Sequence, residues 1–147
     1  MLSKQKFLLF TVLLLILIII LHSLALYFFL YWRIWWFDNV LHFLGGAWLA
    51  SSLFYWVYFS KKIKGDAFPL FFVLIMLVGF SAIGGILWEI CEFFYDHLLG
   101  RNIGMALQFG VADTVTDLFF DLLGGLVSGL IFIKMLGKHE EQKRKQN

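Results

Sequence analysis

Four long apolar blocks divide this chain, and the polar positions fall between them or near their ends. The blocks cover residues 7-32, 38-59, 68-95 and 113-136, each at or beyond the roughly 20 residues an α-helix needs to cross a bilayer. The pattern predicts an all-α polytopic membrane protein, with four transmembrane helices in a compact bundle that form a single domain over residues 1-147. Polar and small residues inside the blocks keep helical spacing. Asp38, His42, Gly45 and Ser52 line one side of the second helix, and Ala82, Gly85, Glu89, Glu92 and Asp96 one side of the third. Asp113, Asp117, Asp121, Gly124 and Ser128 do the same on the fourth.

The punctuation between blocks is sparse. Ser23-Leu24-Ala25 resembles a processing site, but the chain stays apolar through Tyr31 and Trp32, so the first block is expected to remain as an uncleaved helix. Arg33-Ile-Trp-Trp-Phe37 is an aromatic connection suited to headgroup depth. A short basic connection runs from Ser60 to Asp66, and Pro69 falls in the first turn of the third helix. Segment 96-112, with Gly100, Gly104 and Gly110, is too short and mixed to cross and is expected to be a loop or an interfacial half-helix. There is no internal repeat.

Composition narrows the class further. With 61% hydrophobic residues, 18 Phe and 6 Trp, no stretch outside the blocks is long enough to build a soluble core. A formal charge of +2 gives no reason to expect nucleic acid, and the single Cys91 excludes an intrachain disulfide. The positions of the cations say more than their sum. Lys4, Lys6, Lys61, Lys62, Lys64, Lys138, Lys143, Arg144 and Lys145 belong to the two ends and the second connection, against only Arg33 and Arg101 in the other two connections. The positive-inside rule then predicts both termini in the cytoplasm and a place in the cytoplasmic membrane. Membrane lipid is the expected surrounding partner, and a homo-oligomer is compatible with so apolar a surface.

That orientation gathers seven of the ten acidic residues, Asp38, Glu89, Glu92, Asp96, Asp113, Asp117 and Asp121, into the outer layer with His42. An acid inside an apolar span costs about 2.5 to 3.5 kcal/mol near the centre and points to function by default. Asp113, Asp117 and Asp121 are offset by about 40° and about 6 Å per step, so one face carries all three. Blander readings exist for some of these positions. Asp38 and Asp113 can serve as N-caps, Asp96 as a wetted loop residue and His22 as a packing residue, while Gly125-Leu-Val-Ser-Gly129 permits close helix packing. Glu89, Glu92, His42, Asp117 and Asp121 lie a turn or more inside their spans. No Lys or Arg stands in the outer halves, so the compensating charge must be protons or a metal ion. Carboxylates with one imidazole suit Mg²⁺, Mn²⁺, Fe²⁺ or Zn²⁺. The expected ligand set is Asp38, His42, Glu89, Glu92, Asp113, Asp117 and Asp121, with Glu89 or Glu92 as general base where left unligated.

Phe37-Asp38-x-x-x-His42-Phe43-x-x-Gly46, Trp88-Glu89-x-x-Glu92 and Asp113-Thr114-x-x-Asp117 followed by Gly124-Gly125 resemble the motif set of YjdF-like bacterial inner-membrane proteins over roughly residues 33 to 130. The Asp-x-x-x-His-Phe start and the later acidic helix ends are more distantly similar to VanZ-like membrane proteins. The resemblance implies a multi-pass membrane protein; YjdF-like members are generally longer, and VanZ-like proteins are linked with glycopeptide-antibiotic resistance at the cell envelope. Three functions are consistent with these residues. The first is a metal-dependent hydrolase or transferase acting on a lipid-linked or phosphorylated envelope substrate. The second is a proton or cation conduit through Asp113, Asp117 and Asp121, and the third a non-catalytic envelope assembly or resistance factor.

Overall fold

Ser3 caps the first helix, its hydroxyl accepting the Lys6 N–H at 3.3 Å, and α1 then runs Lys4–Tyr27. The computed structural model describes residues 3–59 and 69–146, with side chains as far as residue 137. The basic connection with Lys61, Lys62 and Lys64, the expected start of the third span at Phe68, and the side chains from Lys138 onward lie outside the described residues. After α1 come α2 (Leu30–Arg33), α3 (Phe37–Phe59), α4 (Leu70–Tyr95) and α5 (Val111–Gln146), with no strand among the described residues. A π-helical turn, Asp96–Gly100, continues α4. Helices α1 and α3, α4 with its π turn, and α5 as far as Gly137 are each long and apolar enough to cross a membrane.

The first apolar block is longer than its helix. Instead of continuing to Trp32, α1 stops at Tyr27, and Phe29 takes a left-handed conformation (φ 57°) that turns the chain into α2. Such a conformation costs an L-residue about 1 to 2 kcal/mol. Tyr31 and Trp32 offset it: Tyr31 is buried beside Ala25, Leu41 and Leu107, and the Trp32 indole N–H donates to the Ala106 carbonyl at 2.8 Å. Apolar aromatic residues extend the block because they belong to this folded-back corner. Pro69 precedes α4 as its N-cap rather than standing within its first turn. At the other end of the chain α5 outruns its apolar block, starting at Val111 and continuing to Gln146. The polar stretch after Gly137 is rich in Lys, Glu and Gln, which are strong helix formers by intrinsic propensity.

Helices α3, α4 and α5 pack mutually, and α1 leans on α3. Gly46 and Gly124 set the closest approach. A Cβ on Gly46 would run into the Asp121 backbone carbonyl, and one on Gly124 into the Phe43 carbonyl, so α3 and α5 touch backbone to backbone. The buried side of α3 therefore runs from Asp38 and His42 through Gly46, Ala50 and Phe54 rather than through Gly45 and Ser52. Two apolar clusters bracket the bundle. Phe7, Ala50, Phe54, Leu77 and Phe132 form one end, with the Phe54 and Phe132 rings stacked at 4.7 Å, and Ala25, Tyr31, Leu41 and Leu107 form the other. Between them lies a buried polar layer.

Candidate metal centre

Asp38 and His42 stand one turn apart on α3, Glu89 and Glu92 on α4, and Asp117 and Asp121 on α5, so each helix presents two groups to the same depth. All six are buried, none with more than 9% of its surface exposed. Their oxygens converge on His42. Its Nδ1 is 2.9 Å from Asp121 Oδ2, while its Nε2 is 3.7 Å from Asp38 Oδ1 and 3.8 Å from Glu89 Oε1. The 2.9 Å contact is a hydrogen bond and fixes the proton on Nδ1, because a carboxylate accepts. Nε2 has no hydrogen-bond partner, and the nearest oxygens of Asp38 and Glu89 lie beyond hydrogen-bond distance.

Two ligand sets pass through this ring. Asp38, His42 and Asp117 offer atoms within 4.8 Å of one another, and so do His42, Glu89 and Glu92. His42 Nε2, Glu89 Oε1 and Asp117 Oδ1 are buried without a hydrogen-bond partner. Unpaired buried polar atoms cost about 1 to 3 kcal/mol each, more when charged. All three belong to the cluster around His42, where protons on the carboxyls or a bound cation would each satisfy them. Bonds of about 2.1 Å would put the ligands of a tetrahedral ion roughly 3.4 Å apart, close to the Nε2 to carboxylate spacings here. The donor set, one imidazole with carboxylates and no thiolate, fits a hard or borderline divalent ion. Among the described residues the ion pairs of the cluster all run to His42, which offers at most one positive charge to five carboxylates.

The surrounding contacts divide the expected ligands by role. Asp121 holds His42 Nδ1, the position of a residue that orients a ligand. Asp113 stands apart from both sets: half-buried in the first turn of α5 rather than at its N-cap, it reaches back to accept the Phe109 N–H at 2.9 Å and ties the preceding segment to the helix start. Glu92 accepts from the Trp88 indole N–H at 2.9 Å, and Glu89 from the Gln108 side-chain amide at 2.9 Å. Trp88 and Gln108 are the partners that residue type alone did not single out. Trp88 was visible as Glu92's neighbour one turn earlier, but Gln108, in a segment without periodicity, left no signal. Asp96 departs most from its wetted-loop reading. It is fully buried and accepts the backbone N–H groups of Leu107 (2.8 Å) and Gln108 (3.0 Å), folding segment 105-110 over the site.

His22 is held by Tyr31, Nδ1 to Oη at 2.6 Å. Burial, with Asp38 and Glu92 nearby, raises the Tyr31 phenol above its ordinary value, so it keeps its proton and donates to His22. His22 thereby joins the rim of the site without entering either ligand set.

The family model for predicted membrane proteins, DUF2238, matches residues 2–138 of this chain. A protein of Thermotoga maritima described as uncharacterized is 36% identical over 115 residues, which are 78% of this chain and 57% of that protein. The chain thus spans little more than half the length of that relative. No solved structure matches.

Proposed function

The chain belongs to the DUF2238 family of predicted membrane proteins, and we propose that within it this protein is a divalent-metal protein whose site lies inside the bilayer and opens to the outer face. His42, Asp38, Glu89, Glu92 and Asp117 hold the ion, and Asp121 orients His42. The observation that carries this reading is His42 itself: Nδ1 is tied to Asp121 at 2.9 Å while the buried, unpartnered Nε2 faces Asp38 and Glu89. A carboxylate–imidazole–ion order of this kind fixes the tautomer and raises ligand basicity. A bound divalent ion supplies Lewis acidity to a phosphoryl or carbonyl oxygen and acidifies water. Glu89 and Glu92 differ in their support. Glu92 accepts from Trp88 and Glu89 from the Gln108 amide, and Glu89 Oε1 has no partner, so Glu89, where the ion leaves it unligated, is the general base of choice. The substrate is a lipid-linked or phosphorylated envelope compound.

The conduit reading has less behind it. On the far side of Asp121 the bundle is filled by Phe7, Phe54, Leu77 and Phe132, and among the described residues no acid joins that cluster to receive a proton. Elemental analysis of purified protein, with and without chelator, tests the proposal. Stoichiometric metal is expected in the native protein, lost from His42→Ala, Glu89→Gln, Glu92→Gln and Asp117→Asn and kept in Glu140→Gln and Glu141→Gln. Equal metal in all six variants, or none in the native protein, overturns it.

A further inference from the structure

A cavity of about 340 Å³ lies between α1, α3 and α4, and it ends on the polar cluster. Its walls are Leu15, Ile18 and Ile19 of α1, Leu49 of α3, and Gly84 and Trp88 of α4, and its closed end is formed by His42, Asp38 and Asp121. This is the low end of the roughly 300 to 1,000 Å³ range of ligand pockets, apolar along most of its length with a few polar groups at one point.

The cavity exists because α1 leans on α3 and scarcely approaches α4. The two helices come together towards their ends: Phe7 and Leu77 share the aromatic cluster at one end, and the His22 and Trp88 rings meet edge to face at 5.6 Å at the other. Between these points the cavity opens sideways, since Ile19 (55% exposed) and Trp88 (44% exposed) line it and also face outward. Gly84 helps keep it open. A Cβ there would push into the Leu49 side chain and drive it into the space.

An opening in the side of a membrane-spanning bundle faces hydrocarbon. The part of the cavity walled by Leu15, Ile18, Ile19 and Leu49 offers water no partners, and left empty it forfeits the dispersion contacts of its walls. The medium available at that depth is lipid chain. The wall gives little preference for one chain over another, because lipid tails are as apolar as Leu. Selection must come from the closed end, where His42, only 4% exposed, carries the unpartnered Nε2.

We propose that this cavity is a lateral portal that takes one hydrocarbon chain of a bilayer lipid and brings its phosphate-bearing headgroup to His42. The placing of the headgroup rests on the metal reading, because a phosphate among five carboxylates requires the cation; the seating of the chain does not. The substrate class that follows is a membrane amphiphile with phosphate close to the chain, a chemistry shared by phospholipids and isoprenoid phosphates.

The test uses full-length protein reconstituted in nanodiscs containing a phospholipid with a photoactivatable group in its acyl chain. Adducts are mapped by mass spectrometry, and metal content is measured on the same samples. Adducts concentrated on Ile18, Leu49 and Trp88 are expected. In Ile18→Trp, which fills the cavity, they should fall tenfold or more while metal is retained. Leu15→Trp is the second filling variant should the first fail to fold. In the native protein, an unlabelled short-chain phospholipid or isoprenoid phosphate should compete adducts away, and the better competitor identifies the source of the phosphate. Adducts spread evenly over outward residues such as Leu9, Ile83 and Phe119, or adducts in the cavity that neither competitor displaces, overturn the portal. Cavity adducts in a protein without metal leave the seating of the chain standing and remove the metal reading and the headgroup assignment with it.

Discussion

Two backbone N–H groups above the site, those of Leu107 and Gln108, depend on the Asp96 carboxylate. Sequence position made Asp96 look like a solvated loop acid, because it follows the last apolar residue of its block; nothing local could show that residues eleven and twelve positions later return to it. Asp96→Ala leaves both donors unpaired, that of Leu107 buried and that of Gln108 half-buried, so stability in detergent should fall by about 2 kcal/mol, with new protease cleavage in 101-110. Thermal melting and limited proteolysis check this. An Asp96→Ala protein that melts like the native one and resists protease would show that segment 105-110 is held by its apolar contacts instead. The five acids and the histidine of the cluster were legible for the opposite reason: an apolar background makes each one costly, and shared helical spacing puts them on one side. Gln108 was not legible, being an ordinary polar residue among glycines.

Helix pairs add a constraint that no single side chain carries. The α3–α5 crossing is set at Gly46 and Gly124, where each glycine meets the backbone of the other helix, and the His42 to Asp121 bond spans the same seam. Ala at either position should therefore cost about 1 to 3 kcal/mol by overpacking and lower metal affinity at the same time, because the helices separate between the ion's ligands. Gly79 is the control, since a Cβ there meets nothing within 4 Å; Gly79→Ala should be neutral or stabilise by about 0.5 to 1 kcal/mol through helix propensity. Melting and metal titration on the three variants decide it. Gly46→Ala with native metal affinity would detach the crossing from the site. The sequence exposed the four spans readily, through length and hydropathy. It placed the crossing imperfectly: Gly125-Leu-Val-Ser-Gly129 fits the small-residue motif, yet Gly125 abuts the Ser81 hydroxyl and Gly129 the side chain of Leu74, while the backbone contact belongs to Gly124. A motif marks the helix that comes close, not the residue at the point of contact.

For the molecule as a whole the open direction of the site matters most, and cation asymmetry predicts it faces away from the cytoplasm. After Cys91→Ala, a cysteine introduced at the exposed Asn102 should react in intact cells with a maleimide that cannot cross the membrane. Labelling only after the membrane is permeabilised reverses the orientation. At the other end of the bundle, the Phe7 ring lies tilted against Phe54 and edge-on to Phe132, with centroids at 5.4 and 5.3 Å, closing the space beneath the acids with packed aromatics. A charge pushed into that cluster would have no ligand and no water, and its solvation cost would far exceed what a resting membrane voltage returns. On the metal reading, an ion at His42 would therefore not pass through this end of the bundle, and a turnover there would carry no net current across an energised membrane.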